Sequence, residues 1–423
     1  MTPSARKLRL GAAKSLSLAA FATLIVGNLR SSDAAAPTAT YGQILVAGGY
    51  GVSSTLSSTE LYDPGSNSFA AAPPSMNAAR QYHTASVITL GPNAGKVLLA
   101  GGLSDSTLPS SELYDPVGNT FAIGPNMNAA RDHHTATMIS SGPNAGKILL
   151  AGGEDRNYGM ISLASTELYD PVANKFAVGP IMNDARYAHT ATVIASGPNA
   201  GRILLAGGYN TAYGALTSTE LYDPVANKFA AGPKMNAARF GHTATAVASG
   251  SNAGKILLAG GFDGNEYSND SLSSTEIYDP TAGQIAVGPR LNAARRFHTA
   301  TVIASGPNTG KILLAGGLSN SGPLASTEIY DPAANKFAAG PNMSVPRDHH
   351  TATTILSGPN AGKILLAGGD DVVNDTKLSS TELYDPEVNK FAVCHPMNVA
   401  RAFDTAIQLP ASATAARIAS LPQ

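Results

Sequence analysis

Apolar residues along this chain come in short unbroken runs rather than in long amphipathic stripes. A run such as Ile148-Leu149-Leu150-Ala151 ends on a pair of glycines, and such pairs recur at Gly48-Gly49, Gly101-Gly102, Gly152-Gly153, Gly207-Gly208, Gly260-Gly261, Gly316-Gly317 and Gly368-Gly369. The pairs lie a little over fifty residues apart. A period of that length marks a repeat architecture rather than two or three separate domains. In its fullest form the unit reads A-R-x-x-H-T-A-T, a G-P-N-A-G-K turn, I-L-L-A-G-G, a variable stretch, S-T-E-[LI]-Y-D-P and N-K-F-A-x-G-P-x-M-N. Gly, Pro and Asn therefore separate four short extended runs, which predicts four antiparallel strands per unit.

Each run has the chemistry its place demands. His-Thr-Ala-Thr-Val-Ile keeps side chains small, as suits inner strands crowded round a central channel. Lys-Ile-Leu-Leu-Ala is continuously apolar and should be covered on both faces. The fourth run carries Phe69, Phe121, Phe176, Phe229, Phe337 or Phe391, with Ile285 once, as packing residues. Seven such units predict an all-β, seven-bladed β-propeller of four-stranded antiparallel blades. The first unit opens on a second-strand run at Gln43-Ile44-Leu45-Val46, and the last ends on a first-strand run at Phe403-Asp404-Thr405-Ala406-Ile407 that lacks the usual His. The C-terminal strand is therefore expected to complete the first blade and remove the exposed edges of an open ring.

Composition narrows the function classes. The chain is 43% hydrophobic and 13% charged, with 43 Gly and 27 Pro, which suits a turn-rich compact fold. A net charge of −1 supplies no footprint for a phosphate backbone, so nucleic acid is not an expected partner. The single cysteine, Cys394, has no intrachain partner for a disulfide. Arg6, Lys7, Arg9 and Lys14 precede an apolar run from about Leu16 to Gly27, with small residues at Ser32 to Ala36. That is the order of an export signal, and the apolar run is shorter than the ~20 residues a spanning helix needs. Residues 1–34 are thus assigned to a signal peptide, 35–409 to the propeller and 410–423 to a tail. A secreted or periplasmic monomer, not stably inserted in a membrane once the signal is removed, is expected.

Two charged positions recur once per unit: Arg80, Arg131, Arg186, Arg239, Arg295, Arg347 and Arg401, and Glu60, Glu112, Glu167, Glu220, Glu276, Glu328 and Glu382. Equal numbers at fixed registers predict a ring of structural pairs, because a Glu inside a buried strand needs a partner. His83, His134, His189, His242, His298 and His350 share one strand position and are read the same way, as structural residues rather than ligands.

The motifs A-R-x-x-H, apolar-Gly-Gly, S-T-E-L-Y-D-P and N-K-F resemble the kelch repeat, with Phe or Ile where kelch units usually carry Trp. The resemblance implies a propeller and leaves function open. Galactose oxidase uses a seven-bladed kelch propeller, and Tyr82-His83 is similar to a copper-binding element of that enzyme. The resemblance fails beyond those two residues. Cys394 falls in an outer strand and Tyr187 lies one place off the Tyr82 register, so no cross-linked copper site is assembled. The kelch epimerases of the periplasm that act on sialic acid share fold and compartment, and no catalytic residue here matches them.

Departures from the internal consensus point to function, and they lie in the A-R-x-x-H segments and the stretches after Gly-Gly, which four-stranded blades place on one face. The position before the register His is Tyr82, His133, Ala188, Gly241, Phe297, His349 and Phe403, with His133 and His349 as extra histidines in Arg-Asp-His-His. The stretches after Gly-Gly carry Glu154, Asp155, Arg156, Tyr158, Tyr209, Tyr213, Phe262, Tyr267, Asp370 and Asp371 among others. Aromatics mixed with carboxylates suit a glycan or protein ligand. The expected ligand-binding residues are Tyr158, Tyr209, Tyr213, Phe262, Tyr267, Tyr82, His133 and His349, with no catalytic residue, metal or cofactor assigned. A binding propeller is favoured, and an enzyme using the propeller mouth, a copper oxidase or a sugar epimerase, is the alternative.

Overall fold

The computed structural model describes residues 42–410 apart from 71–72, 265–269, 372–373 and 375. The export segment and the tail beyond residue 410 lie outside the described residues. Seven four-stranded antiparallel sheets follow one another, each ordered from an inner strand to an outer one. In blade 4, for example, the strands are Thr190–Val193, Ile203–Ala206, Thr219–Asp223 and Lys228–Ala231. Blade 1 takes three strands from the N-terminal part, Ile44–Ala47, Thr59–Asp63 and Ser68–Phe69, and its inner strand, Thr405–Gln408, from the other end of the chain. Val46 lies opposite Ala406 and Ala47 opposite Thr405 in that pairing, which closes the ring as expected.

The core lies between blades, because each sheet is apolar on both faces. Leu149, Ala151 and Leu168 of blade 3 pack with Met182 against Ile203, Leu205 and Tyr222 of blade 4. The same cluster recurs round the ring and ends where Ile44, Val46 and Tyr62 of blade 1 meet Leu365, Ala367 and Cys394 of blade 7. Each fully buried Leu or Ile contributes about 1.5–3 kcal/mol. The third-strand Tyr also meets the outer-strand Phe, as Tyr222 does Phe229 with centroids 5.3 Å apart. The Tyr222 hydroxyl donates to Asn227 Oδ1 at 2.9 Å. Asn227 has φ +50°, a left-handed turn that Asn tolerates better than most residues.

Every repeated Arg is fully buried and pairs with the third-strand Glu of its own blade. Arg239 donates from Nη2 to Glu276 Oε1 at 2.8 Å, and from Nη1 to the carbonyls of Gly260 at 2.6 Å and Ser274 at 3.1 Å. Glu276 also accepts from the Asn236 backbone and side-chain amides and from the Ala237 backbone. The M-N-A-A-R segment is thus one device: its amides saturate the carboxylate and its guanidinium ties the Gly-Gly turn to the third strand. That turn needs glycine. Gly152 has φ +63°, and a Cβ there would strike the Arg186 carbonyl.

The register histidines link neighbouring inner strands. Nε2 of His189 lies 3.0 Å from Thr135 Oγ1, and His83, His134, His242, His298 and His350 repeat the contact with Thr405, Thr84, Thr190, Thr243 and Thr299. Burial holds their pKa values far below the usual range, so they are neutral. Blade 1 breaks the series, with Asp404 in the His register. Neither Asp404 carboxylate oxygen has a hydrogen-bond partner, and the Thr351 hydroxyl turns to the Ala367 carbonyl.

Candidate binding mouth

The A-R-x-x-H segments and the stretches after Gly-Gly do share a face, joined within each blade by bridges such as Asp132 to Glu154, Tyr187 to Tyr209 and Phe240 to Phe262. At the centre of that face the residue before each register His takes a left-handed φ, from +45° at His349 to +60° at Gly241 and Phe403. The conformation is costly for a side chain with a Cβ, and here the surroundings enforce it. Each of these residues donates its N–H to the carbonyl of its counterpart one blade back, at 2.8–3.2 Å: His133 to Tyr82, Ala188 to His133, Gly241 to Ala188, Phe297 to Gly241, His349 to Phe297, Phe403 to His349 and Tyr82 to Phe403. Seven peptide groups form a closed hydrogen-bonded hoop around the channel.

The side chains above the hoop form a closed circuit of eight rings. Tyr82 stacks on His133 with centroids 3.7 Å apart, and the contacts continue from His133 through Tyr187, Tyr209, Phe240, Phe297, His349 and Phe403 back to Tyr82 at 3.7–6.4 Å. Where the hoop residue is small, at Ala188 and Gly241, the residue before it supplies the ring, Tyr187 or Phe240. The Phe297 ring fills the space over Gly241 that a Cβ would occupy. Phe262 extends the circuit outward from Phe240 at 5.2 Å, and the Arg296 guanidinium lies over the Phe262 ring at 4.5 Å. Between these rings opens a cleft of about 620 Å³ lined by Met160, Tyr187, Tyr209, Thr211, Phe240, Phe262 and Gly264. That volume is in the range of small-ligand and side-chain pockets.

Polar groups cluster beside the rings in blades 3 and 7. In blade 3 the His133 Nδ1 lies 2.6 Å from Asp132 Oδ1 and 3.6 Å from Glu154 Oε1. Arg156 bonds Glu154 through Nη2 and approaches Asp132 Oδ2 with Nε at 3.3 Å. Burial and the neighbouring Asp132 raise the pKa of Glu154. Burial also pushes the Tyr187 phenol up to about 12 and that of Tyr82 higher still, so both stay protonated as hydrogen-bond donors. In blade 7, Asp348 lies 3.4 Å from His349 Nδ1, and Lys377 bonds Asp370 at 2.6 Å.

Of the residues expected to bind, Tyr82, His133, His349 and Tyr209 stand in the circuit and Phe262 lines the cleft. Tyr158 and Tyr213 are 81% and 82% exposed and stand outside the circuit. Tyr267 lies outside the described residues. Tyr187 and Phe240 also stand in the circuit and are not among the expected residues, because they sit one place off the aligned column. The signal for them was the small Ala188 and Gly241 that follow. His83 faces Thr405 and is buried, and Cys394 is buried near Asn67 in an outer strand, so the resemblance to a copper enzyme ends at Tyr82.

Three stretches of the chain, residues 34–76, 243–284 and 295–344, match the Kelch motif. Fold and repeat together define the class, a seven-bladed β-propeller, and those three stretches of it carry the kelch motif. Within that class the chain is similar to Kelch-like protein 23 of Mus musculus, 26% identical over 296 residues that make up 70% of this chain and 47% of that protein. Kelch-like protein 23 of Homo sapiens matches at 26% over 297 residues, again 70% and 47%, and Beta-scruin of Limulus polyphemus at 25% over 333 residues, 74% and 34%. The chain thus aligns with less than half the length of these relatives. A solved structure titled "Structure of YjhT" superposes with a TM-score of 0.54 at 12% identity, covering 75% of this chain and 98% of that one, which shows the shared fold.

Proposed function

We propose that the protein is an exported, non-enzymatic binding propeller that docks a protein partner on its mouth. The closed circuit of eight rings, opening into the cleft beside Tyr209 and Phe262, carries this reading. Aromatic side chains held rigid by their neighbours supply most of the energy of protein interfaces and lose little entropy on binding. The similarity to kelch-like proteins supports an interaction role over catalysis. So does the structural use of six histidines, whose Nε2 atoms are spent on threonines. Affinity capture with the full chain and with a Tyr209→Ala/Phe262→Ala variant tests the reading. The partners retained by the wild type should be lost by the variant, and an unchanged set would overturn it.

A glycan ligand is the second reading. It is favoured by rings that lie beside charged groups, as where Lys377, bonded to Asp370, stands 5.8 Å from the Tyr50 and Phe403 rings. A sugar would stack on the rings and hydrogen-bond to the polar groups at their edge. A glycan array that lights up with the wild type and not with the double variant would replace the protein partner by a sugar. Export predicts a mature chain beginning near Ala35, and an intact Met1 on cytosolic protein would end that part of the proposal.

A further inference from the structure

The blade 3 cluster brings two buried carboxylates and one imidazole together at the edge of the mouth. Asp132, His133 and Glu154 each present one ligand atom, all within 4.8 Å of one another. The two carboxylates are 0% and 1% exposed, while His133 is 21% exposed and leaves the cluster open toward the mouth. Two carboxylates face a single guanidinium, that of Arg156. Glu154 Oε2 is buried without a hydrogen-bond partner, an acceptor left over after Arg156 has bonded Oε1. Arg156 is itself 31% exposed and is held only at its tip, so it can leave.

Blade 7 shows what the same motif looks like without a site. It repeats Arg-Asp-His-His, yet Asp348 stands 3.4 Å from His349, and Lys377 takes the Asp370 carboxylate that corresponds to Glu154. The difference lies in the length of the acidic side chain and the place of the cation, and among the described residues only blade 3 brings three ligand atoms together.

We propose that Asp132, His133 Nδ1 and Glu154 bind a first-row divalent transition ion such as Zn2+, with Arg156 swinging out as the ion enters. One imidazole with two carboxylates argues against Ca2+ or Mg2+, which take oxygen ligands in larger number. Bond lengths of about 2.0–2.2 Å put the ligand atoms of a tetrahedral ion roughly 3.3 Å apart. The 3.6 Å pair meets that spacing nearly as it stands, and rotation of the Asp132 carboxylate opens the 2.6 Å pair. The fourth position would face the ring circuit, where a ligand oxygen could complete the shell. This inference does not depend on what docks at the mouth.

The test is calorimetric titration of the chelator-treated full chain with ZnCl2 and, separately, CaCl2, with the visible absorption of bound Co2+ as a probe of geometry. One Zn2+ per chain is expected, with little Ca2+ uptake. Glu154→Gln and His133→Gln should each weaken binding tenfold or more, and Arg156→Ala should tighten it about tenfold by removing a competing charge. Melting temperatures identify any variant that has not folded, and if His133→Gln fails, Glu154→Gln and Arg156→Ala carry the result. The proposal is overturned if neither wild type nor Arg156→Ala takes up Zn2+ saturably, if Glu154→Gln binds as the wild type does, or if Ca2+ is preferred.

Discussion

Arg401 donates from Nη2 to Glu60 Oε1 at 3.3 Å, joining two residues 341 positions apart across the seam where the ring closes. The same guanidinium bonds the Gly48 carbonyl at 2.8 Å and the Ser58 carbonyl at 3.0 Å. A contact that is local in every other blade is thus made in blade 1 by the two ends of the propeller. Removing one partner strands a buried charge, which typically costs 3–5 kcal/mol. Arg401→Ala and Arg239→Ala are both expected to fall near that range in urea unfolding. A loss within about 0.5 kcal/mol would mean the pairs do not hold the blades. Truncation from Arg401 onward should leave an aggregating protein with no cooperative melt.

Asp404 makes the seam sensitive to pH. Burial pushes its carboxyl well above the ordinary carboxylate range, to about 7, with Arg401 opposing. The folded state therefore holds the proton more tightly than the unfolded chain does. The stability from this group is fully present below about pH 4, falls as pH rises and is lost above about pH 7. The difference is on the order of 4 kcal/mol. Asp404→Asn should be more stable than wild type at pH 8 and close to it at pH 4. Equal differences at the two pH values would show that Asp404 does not titrate in this range.

The register that Asp404 occupies also predicts a gain. Asp404→His should supply the seventh imidazole, reach Thr351 as the other six reach their threonines, and raise the melting temperature at pH 8. No rise would show that the seam is too tight for the ring.

Gly241 sets the floor under Phe297. It has φ +60°, and a Cβ there would press into the Phe297 ring. Gly241→Ala should cost about 1–2 kcal/mol from the left-handed backbone alone, with further loss as the ring is displaced. The matched change, Ala188→Gly, should leave the neighbouring rings in place. Near-UV circular dichroism, in a chain whose aromatic signal comes from Tyr and Phe, reports whether the circuit has moved.

Tyr213→Ala and Tyr158→Ala should each change stability by less than about 0.5 kcal/mol, because both rings are already in water. Any loss of ligand on these variants then reports direct contact. Asn199, in a G-P-N turn, donates to the Tyr278 hydroxyl at 3.2 Å, and Asn199→Ala should cost about 1 kcal/mol.

The fold was legible because each unit repeats its own instructions. An unbroken apolar run can only be a strand covered on both faces, and Gly-Gly can only end it where φ is positive. Equal numbers of Arg and Glu at fixed registers foretold the pairs, and the His-less final strand foretold the closure. The mouth was legible in part. Tyr82, His133, His349, Tyr209 and Phe262 stood out as departures from the consensus. Tyr187 and Phe240 did not, since column-by-column comparison cannot show a ring leaning over a small neighbour.

What the sequence determined by itself is everything each blade does alike, since local propensity, burial pattern and turn chemistry act within one unit and are repeated seven times. Only the tertiary structure decided what the unlike residues do together. The hoop of peptide bonds brings a segment of every blade to a common axis, so rings from different blades, many of them some fifty residues apart in sequence, meet within 3.7–6.4 Å. The bridge between Asp132 and Glu154 likewise brings two carboxylates to one histidine. The ring distances between blades are properties of the closed ring, and the blade 3 cluster is a property of one blade folding its mouth stretch back on itself; local propensity contains neither.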